Sequence, residues 1–287
     1  MMQRHRDRGI AYRLKGLYDQ AIADYSQAIA LKPDGAEAYR DRGIAYRLKG
    51  LYDQAVADYD QAIALKPGDA EAYRDRAIAY GLKKLYDQAI ADYSQAIALR
   101  PDDAETYRDR GIAYRLKGLY DQAIADYSRA IALKPDNAET YRDRGIAYRR
   151  KGLYDQSVPD YTKAIALKPD DADAYADRGF AYLHLGLYDQ AVADYTKVIA
   201  LKPDDAMAYN NRAWANHLAK RDAQGLPDAE RAVSLDPGHA NFIETRAEIY
   251  EALARRDDAV ADYRTALKID PTIQSAKDGL TRLGVAP

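Results

Sequence analysis

Eight prolines recur along this chain at a fixed spacing of 34 residues. They are Pro33, Pro67, Pro101, Pro135, Pro169, Pro203, Pro237 and Pro271. A fixed period of this length, carrying the same residue pattern each time, indicates one supersecondary unit repeated in tandem. The period therefore predicts a stacked repeat architecture, in which each unit contacts only its neighbours along the chain.

Residues 36–69 show the repeating unit, AEAYRDRGIAYRLKGLYDQAVADYDQAIALKPGD. Numbering the unit from 1 to 34 places proline at position 32. The repeats are then residues 2–35, 36–69, 70–103, 104–137, 138–171, 172–205, 206–239 and 240–273. The sequence therefore predicts one structural plan used eight times.

Each unit has the pattern of two helices. Tyr39, Gly43 and Tyr46 follow helical spacing, and the equivalents of Asp69 can accept hydrogen bonds from the first helical N–H groups. Glycine at Gly50 suits the left-handed residue that ends a helix. The predicted second helix starts near Tyr52 or Asp53 and ends before the proline, and its buried stripe is Ala55, Tyr59, Ala62 and Ile63.

The recurring residues resemble those of the tetratricopeptide repeat (TPR) family over residues 2–273: Tyr at positions 4, 11 and 24, Gly or Ala at 8, Ala at 20 and 27, and Pro at 32. The resemblance implies an all-α fold, a right-handed TPR superhelical solenoid of eight helix-turn-helix repeats with a C-terminal capping helix. First helices would line the concave surface and second helices the convex one. We expect a single solenoid across residues 1–287 and place the capping helix at about residues 273–284.

The origin of the chain has more than one interpretation. Repeats 1–5 are nearly identical, which is typical of recent duplication in a bacterial protein or of an engineered array. The chain also opens almost inside a repeat, as a fragment of a longer protein would. These alternatives remain open at this stage.

Composition excludes several classes of function. A net charge of −2 gives no general attraction to nucleic acid or anionic membrane, and the absence of cysteine excludes disulfides and thiolate metal sites. The first residues, MMQRHRDRGIAYR, lack the apolar stretch of a signal peptide, so we expect a cytoplasmic protein. No phosphate-binding loop or hydrolase motif occurs, so we expect no catalysis and no cofactor. His184 and His217 form a weak metal candidate, and we predict no metal site.

One arginine and one aspartate occur in all eight repeats, at positions 7 and 23. The arginines include Arg42 and Arg110, and the aspartates include Asp58 and Asp126. Because position 7 faces the second helix, we predict paired guanidinium–carboxylate contacts that hold the fold together.

By the family resemblance, positions 2, 5, 9, 12 and 13 of each first helix face the groove. Arginines dominate positions 5 and 12 of the early repeats. This arginine ladder comprises Arg40, Arg47, Arg74, Arg108, Arg115, Arg142 and Arg149. It has two interpretations: a solvated groove whose glutamates offset the arginines, or a binding site for an acidic extended peptide.

Repeats 6 and 7 break the arginine pattern and carry the favoured binding site. The single tryptophan and a phenylalanine take position 9, where repeats 1–5 have isoleucine. The candidate residues are Phe180, Leu183, His184, Met207, Asn210, Asn211, Trp214 and His217. An aromatic anchor with polar neighbours is typical of a peptide hot spot, although drift in late repeats would leave the same pattern.

These observations predict a non-catalytic protein- or peptide-binding scaffold that is a monomer or weak dimer. Two alternatives stay open: a structural or engineered array without a selected ligand, and the targeting module of a larger enzyme. One local departure is also expected. Pro159 and Pro227 fall at position 22 of a second helix, which predicts a kink or a late helix start.

Overall fold

A computed structural model describes residues 1–286, and in this part of the chain seventeen α-helices and no strand are found. The helices are α1 Met2–Leu14, α2 Tyr18–Leu31, α3 Ala36–Leu48, α4 Tyr52–Leu65, α5 Ala70–Leu82, α6 Tyr86–Leu99, α7 Ala104–Leu116, α8 Tyr120–Leu133, α9 Ala138–Arg150, α10 Tyr154–Leu167, α11 Ala172–His184, α12 Tyr188–Leu201, α13 Ala206–Leu218, α14 Asp222–Leu235, α15 Ala240–Ala252, α16 Arg256–Ile269 and α17 Gln274–Arg282. Two helices per repeat, eight times over, confirm the predicted all-α TPR fold class.

The helices form two compact units, residues 1–147 and, in the described part of the chain, residues 148–286. Each unit is a succession of helix pairs in which a helix packs on the one before it and the one after it. The expectation of a single solenoid over the whole chain stays a prediction.

Tyrosine and alanine build the interior of each repeat. Tyr59 on α4 is fully buried, together with Ala55, which lies one turn before it. The position-8 residue on the facing helix is small because the tyrosine ring occupies the space beside it. A Cβ atom added at Gly43 would lie 2.7 Å from the Tyr59 ring. Close contact between the paired helices of repeat 2 therefore depends on glycine at this position, and the repeats with Ala77, Ala213 or Ala247 there carry one methyl group more.

The predicted helix ends are confirmed. The carboxylate of Asp103 accepts a hydrogen bond from the backbone N–H of Glu105 at 3.1 Å, as a helix cap does. Gly50 has the left-handed φ of 82° between the two helices of repeat 2. Lys84, Lys220 and Ala254 take left-handed φ values of 57 to 60° at the same position of other repeats. Side-chain-bearing residues are strained there, because their Cβ crowds the backbone.

Of the two outcomes predicted for the internal prolines, the late helix start is wrong, and the kink stays a prediction. Helix α10 begins at Tyr154 and α14 at Asp222, the position at which every other second helix begins. Both prolines are exposed, and the residues that follow them are buried like those of other repeats. Packing of the buried face therefore outweighs the lost N–H donor. The first turn of both helices has an added i to i+3 hydrogen bond, from Gln156 N to Leu153 O and from Gln224 N to Arg221 O.

Helix α17 follows the last repeat and packs against it. Its Ala276 and Leu280 are fully buried beside Tyr263 of α16. Across residues 1–286, no helix combines the length and apolarity that a bilayer crossing requires.

Candidate functional site

The arginines and aspartates at positions 7 and 23 are paired, as predicted. Arg42 donates to both carboxylate oxygens of Asp58, from Nε at 2.8 Å and from Nη2 at 2.7 Å. This pair of hydrogen bonds occurs in the seven repeats whose arginine and aspartate lie in one unit. In repeat 5, Arg144 belongs to the first unit and Asp160 to the second. The aspartates are buried, so these pairs are part of the structural frame.

The third guanidinium nitrogen of the frame arginine reaches the preceding repeat. Arg42 Nη1 donates to the Ser26 hydroxyl at 3.0 Å, and Arg212 Nη1 donates to the Thr196 hydroxyl at 3.0 Å. The same guanidinium carbon lies 5.7 and 5.8 Å from the ring centroids of Tyr39 and Tyr46. In repeats 2–7, the frame arginine therefore also joins its repeat to the preceding one.

The position-5 arginines of the arginine ladder are also paired with carboxylates. Arg40 Nε donates to Asp75 at 2.7 Å, and its Nη2 donates to Glu71 at 3.2 Å. Arg108 bonds Asp143 at 2.8 Å and lies 2.7 Å from Glu139. Arg74 repeats the pattern with Asp109 and Glu105. In residues 1–147, these arginines are thus neutralised by the chain itself.

The position-12 arginines have aromatic neighbours. Arg115 Nε donates to the Tyr127 hydroxyl at 3.3 Å. Arg47 lies close enough to Tyr59 to oppose, in part, the rise that burial causes in the pKa of the phenol. Arg149, in the second unit, lies 5.1 Å over the Phe180 ring and 3.6 Å from Asp177.

The predicted site residues of repeat 6 form an aromatic cluster. His184 stacks on Tyr154 with ring centroids 4.4 Å apart, and Phe180 lies 4.5 Å from His184. Phe180 is half-buried and His184 is exposed. Leu183 packs instead on the core around Tyr195, so it contributes little free apolar surface.

The predicted site residues of repeat 7 separate into two groups. Trp214 is half-buried and stacks on His217 with centroids 5.1 Å apart, while Met207 is 48% exposed. Asn210 is buried, and its Oδ1 lacks a hydrogen-bond partner. Asn211 lies near the Tyr195 phenol and opposes, in part, the rise that burial causes in its pKa.

The two aromatic anchors belong to separate clusters. Among the described residues, no ring contact joins Phe180 to Trp214, although both hold position 9 in adjacent repeats. Side chains that contact both rings would therefore have to bridge two helices, as an extended segment does.

Sequence analysis missed Glu248, which takes position 9 in repeat 8. It lines a cavity of about 200 Å³ with His217, Glu251 and Arg282. Burial, followed by the nearby Glu244 and Glu251 carboxylates, raises the pKa of Glu248 to about 7. Applying the groove positions to repeat 8 would have revealed these three glutamates, at positions 5, 9 and 12.

The neighbouring Glu251 is tied into the fold. It accepts two hydrogen bonds from Arg282, both at 2.8 Å, and one from the Tyr263 hydroxyl at 2.6 Å. Arg282 therefore holds the pKa of Glu251 below its usual range. His217 Nδ1 lies 2.5 Å from the Asp222 carboxylate. Residues 1–286 bring together no group of three metal-ligating side chains.

Comparison with known families gives TPR matches along most of the chain. A model described as TPR repeat matches residues 9–50, 83–118, 111–152 and 147–186. Models described as tetratricopeptide repeat match residues 36–69, 172–205 and 241–273. No curated protein matches the sequence.

Solved structures of TPR proteins are similar to this chain. MamA is 31% identical, with 57% of this chain and 96% of MamA covered and a TM-score of 0.54. The C-terminal part of a TPR repeat-containing protein from Cytophaga hutchinsonii is 23% identical, with coverages of 83% and 98% and a TM-score of 0.69. YrrB, described as a TPR protein with an unusual peptide-binding site, is 21% identical, with coverages of 64% and 95% and a TM-score of 0.59. The last two establish similarity of fold.

Proposed function

The chain belongs to the tetratricopeptide repeat family, and we propose on that premise that it is a protein-interaction scaffold that binds an extended partner segment across repeats 6–8. TPR repeats generally mediate protein interactions without catalysis. The peptide-binding description of YrrB supports the same mode for a chain of similar fold. We name the binding region the repeat 6–8 surface, and it comprises Phe180, His184, Met207, Trp214, His217 and Glu248.

The observation that carries the proposal is the change at position 9. Repeats 1–5 place isoleucine there, whereas repeats 6 and 7 place the half-buried rings of Phe180 and Trp214. Among the core clusters described for residues 148–286, none includes either ring. Partly exposed aromatic side chains with polar neighbours are the usual components of an interface hot spot.

The chemistry of the surface indicates the partner segment. Trp214, Phe180 and Met207 favour apolar side chains, and the imidazoles of His184 and His217 offer hydrogen-bonding groups. At the repeat 8 end, Glu244 and Glu248 favour a donor or a basic group. We therefore propose an apolar segment with a basic or hydrogen-bond-donating end.

An acidic peptide on the arginine ladder is the second candidate, and it has less support. Arg40, Arg74 and Arg108 already bond carboxylates of this chain. An acidic guest would have to displace those carboxylates, which would remain buried without a partner.

Membership of the family also bears on catalysis and on the place of this chain in a larger protein. We propose that the chain has no catalysis of its own and would serve as the targeting module if it is part of a larger enzyme. A cytoplasmic location stays a prediction.

A peptide library screened on the full chain tests the proposal, with fluorescence of the single tryptophan as readout. Bound peptides should shift Trp214 emission, and Trp214→Ala should weaken their binding by about 2 kcal/mol. Ile44→Ala is the matched control, because Ile44 holds the same repeat position outside the surface. Peptides whose binding survives Trp214→Ala but is lost in Arg108→Ala and Arg142→Ala would place the site on the arginine ladder instead.

A further inference from the structure

The largest departure from the arginine ladder in residues 1–147 is a missing side chain. Position 12 is arginine in repeats 1, 2 and 4 and glycine, Gly81, in repeat 3. A cavity of about 410 Å³ opens at this point between α5, α6 and α7. Its volume lies within the range of about 300 to 1,000 Å³ that is usual for ligand pockets. We name it the Gly81 pocket.

Repeat 2 provides an internal control for the cause of this opening. Ten residues line the Gly81 pocket, and nine of them have the same residue type 34 positions earlier in the chain. Ile78, Leu82 and Tyr86 correspond to Ile44, Leu48 and Tyr52, for example. The tenth pair is Gly81 and Arg47. The missing arginine side chain therefore accounts for the pocket.

Two neighbours are more exposed where that arginine is missing. Tyr93 is 5% exposed, whereas Tyr25, Tyr59 and Tyr127 are 0% exposed. The Asp109 side chain is 22% exposed, against 12% for its equivalent Asp75 and 13% for Asp143. The pocket thus uncovers a phenol and a carboxylate that other repeats cover with an arginine.

The charges around the Gly81 pocket are unbalanced. In repeat 2, two arginines, Arg40 and Arg47, lie near Glu71 and Asp75 of the following repeat. In repeat 3, Arg74 alone lies near the equivalent carboxylates, Glu105 and Asp109. Arg108 of repeat 4 also lies near Asp109, but it is paired with Asp143 and Glu139. The surroundings of the Gly81 pocket therefore lack one positive charge.

We propose that the Gly81 pocket binds an arginine side chain of a partner protein. The aliphatic stem would lie on Ile78, Leu82 and Tyr86, and the guanidinium would meet the Tyr93 hydroxyl and the Asp109 carboxylate. The precedent lies in this chain, because Arg115 donates to the Tyr127 hydroxyl in the next repeat. A charged donor to a phenol and a carboxylate is a strong recognition element. This site is separate from the repeat 6–8 surface and does not depend on it.

Single-residue probes test the proposal on the full chain. N-acetyl-arginine amide, N-acetyl-lysine amide and N-acetyl-leucine amide would be titrated while the backbone amide resonances of Gly81 and Ala113 are followed by NMR. We expect the arginine probe to bind at least about fivefold more tightly than the other two, because only a guanidinium matches both acceptors. Tyr93→Phe should weaken it about threefold by removing one acceptor.

Two matched variants identify the pocket as the site. Gly81→Arg fills it with the chain's own side chain, and binding of the arginine probe should fall at least about tenfold. Arg47→Gly should create a second pocket of the same lining, so that resonances of repeat 2 respond as well. Dispersed amide spectra of both variants show that they are folded.

Three results would overturn the proposal. Equal or tighter binding of the leucine probe would make the pocket an apolar site. Shifts that persist unchanged in Gly81→Arg would place the probe elsewhere. No response to any probe would show that the pocket is a gap without a ligand. None of these results bears on Trp214, so failure here leaves the proposed function standing.

Discussion

The groove positions of residues 1–147 and those of residues 148–286 are built on one frame but differ in chemistry. In the first unit, arginines at position 5 bond carboxylates of the following repeat, as Arg40 bonds Asp75. In the second unit, position 5 holds Ala176, Asn210 and Glu244 instead, and position 9 holds Phe180, Trp214 and Glu248 in place of isoleucine. The frame pairs, such as Arg110 with Asp126 and Arg212 with Asp228, are the same in both.

The difference shows which positions of the repeat are fixed by the structure and which are free to acquire a function. The position-23 aspartate is buried in every repeat and needs the position-7 arginine as its hydrogen-bonding partner, so neither position varies. Position 5 has this requirement only where the following repeat carries an aspartate at position 6, as Asp75 does, and the isoleucine of position 9 pairs with no carboxylate, so these groove positions are free to change. Where they do change, at Gly81 and in repeats 6–8, the surface gains either an opening or exposed aromatic rings.

Removal of a frame arginine should lower stability more than any other change considered, and by the same amount in both units. Arg110→Ala and Arg212→Ala each leave a buried aspartate without its partner, so each should lower the free energy of unfolding by about 3 kcal/mol. Urea unfolding followed by circular dichroism measures the change. Arg264→Ala, an exposed arginine of α16, should stay within about 0.5 kcal/mol. Unequal losses in the two units would contradict a common frame.

Filling the Gly81 pocket should remove the main irregularity of the first unit. We expect Gly81→Arg to raise the free energy of unfolding by about 1.5 kcal/mol, from better helix propensity and from packing of the new side chain. Gly81→Ala isolates the propensity part, about 0.8 kcal/mol, since its Cβ meets no atom within 4 Å. Equal thermal unfolding midpoints for both variants would show that the arginine does not pack there.

The acidic end of the second unit should respond to pH. The pKa of Glu248 rises from its ordinary value of 4.5 to about 7 because its charged form is desolvated. Between those values the folded chain keeps a proton that the unfolded chain has lost, so stability falls as pH rises. Glu248→Gln should remove this decline and be more stable at pH 7 by about 1 kcal/mol, allowing for solvent screening of a half-buried group.

Stability curves of both proteins from pH 4 to 8 measure this effect. Glu37→Gln, an exposed glutamate of the first unit, is the control and should leave the pH dependence unchanged. A decline that persists in Glu248→Gln would assign it to another group.

The smallest effect concerns the turns between paired helices. Lys84 and Lys220, one in each unit, take the left-handed backbone that five glycines take in other repeats. Lys84→Gly and Lys220→Gly should each add about 0.5 kcal/mol, measured by thermal unfolding. The reverse change, Gly50→Lys, should cost a similar amount. A gain in one unit alone would show that the turns differ in strain.

The periodic part of this structure could be predicted from the sequence. The 34-residue spacing gave the helix pairs, and the invariance of Arg42 and its equivalents predicted their contacts with Asp58 and its equivalents. Each periodic residue has the same neighbours in every repeat, so one repeat explains all of them.

The parts that break the period could not be predicted in the same way. Pro159 should have delayed its helix on local grounds, but burial of Tyr161 and its neighbours sets the helix start. The Gly81 pocket depends on what lies two helices away, and the pKa of Glu248 depends on desolvation in the folded chain. The candidate residues around Trp214 stay a prediction of a binding site, and their division into two aromatic clusters needed coordinates.

The bond from the frame arginines of repeats 2–7 to the preceding repeat has a consequence for cooperativity. A contact such as Arg110 Nη1 to the Ser94 hydroxyl belongs to the junction between two repeats rather than to either one. Opening one repeat therefore strips a hydrogen bond from its neighbour, which raises the chance that the neighbour opens next. In a nearest-neighbour description, such bonds add to the coupling energy and lengthen the segment that unfolds together. Amide protons of adjacent helix pairs should consequently exchange with solvent in correlated groups rather than helix by helix.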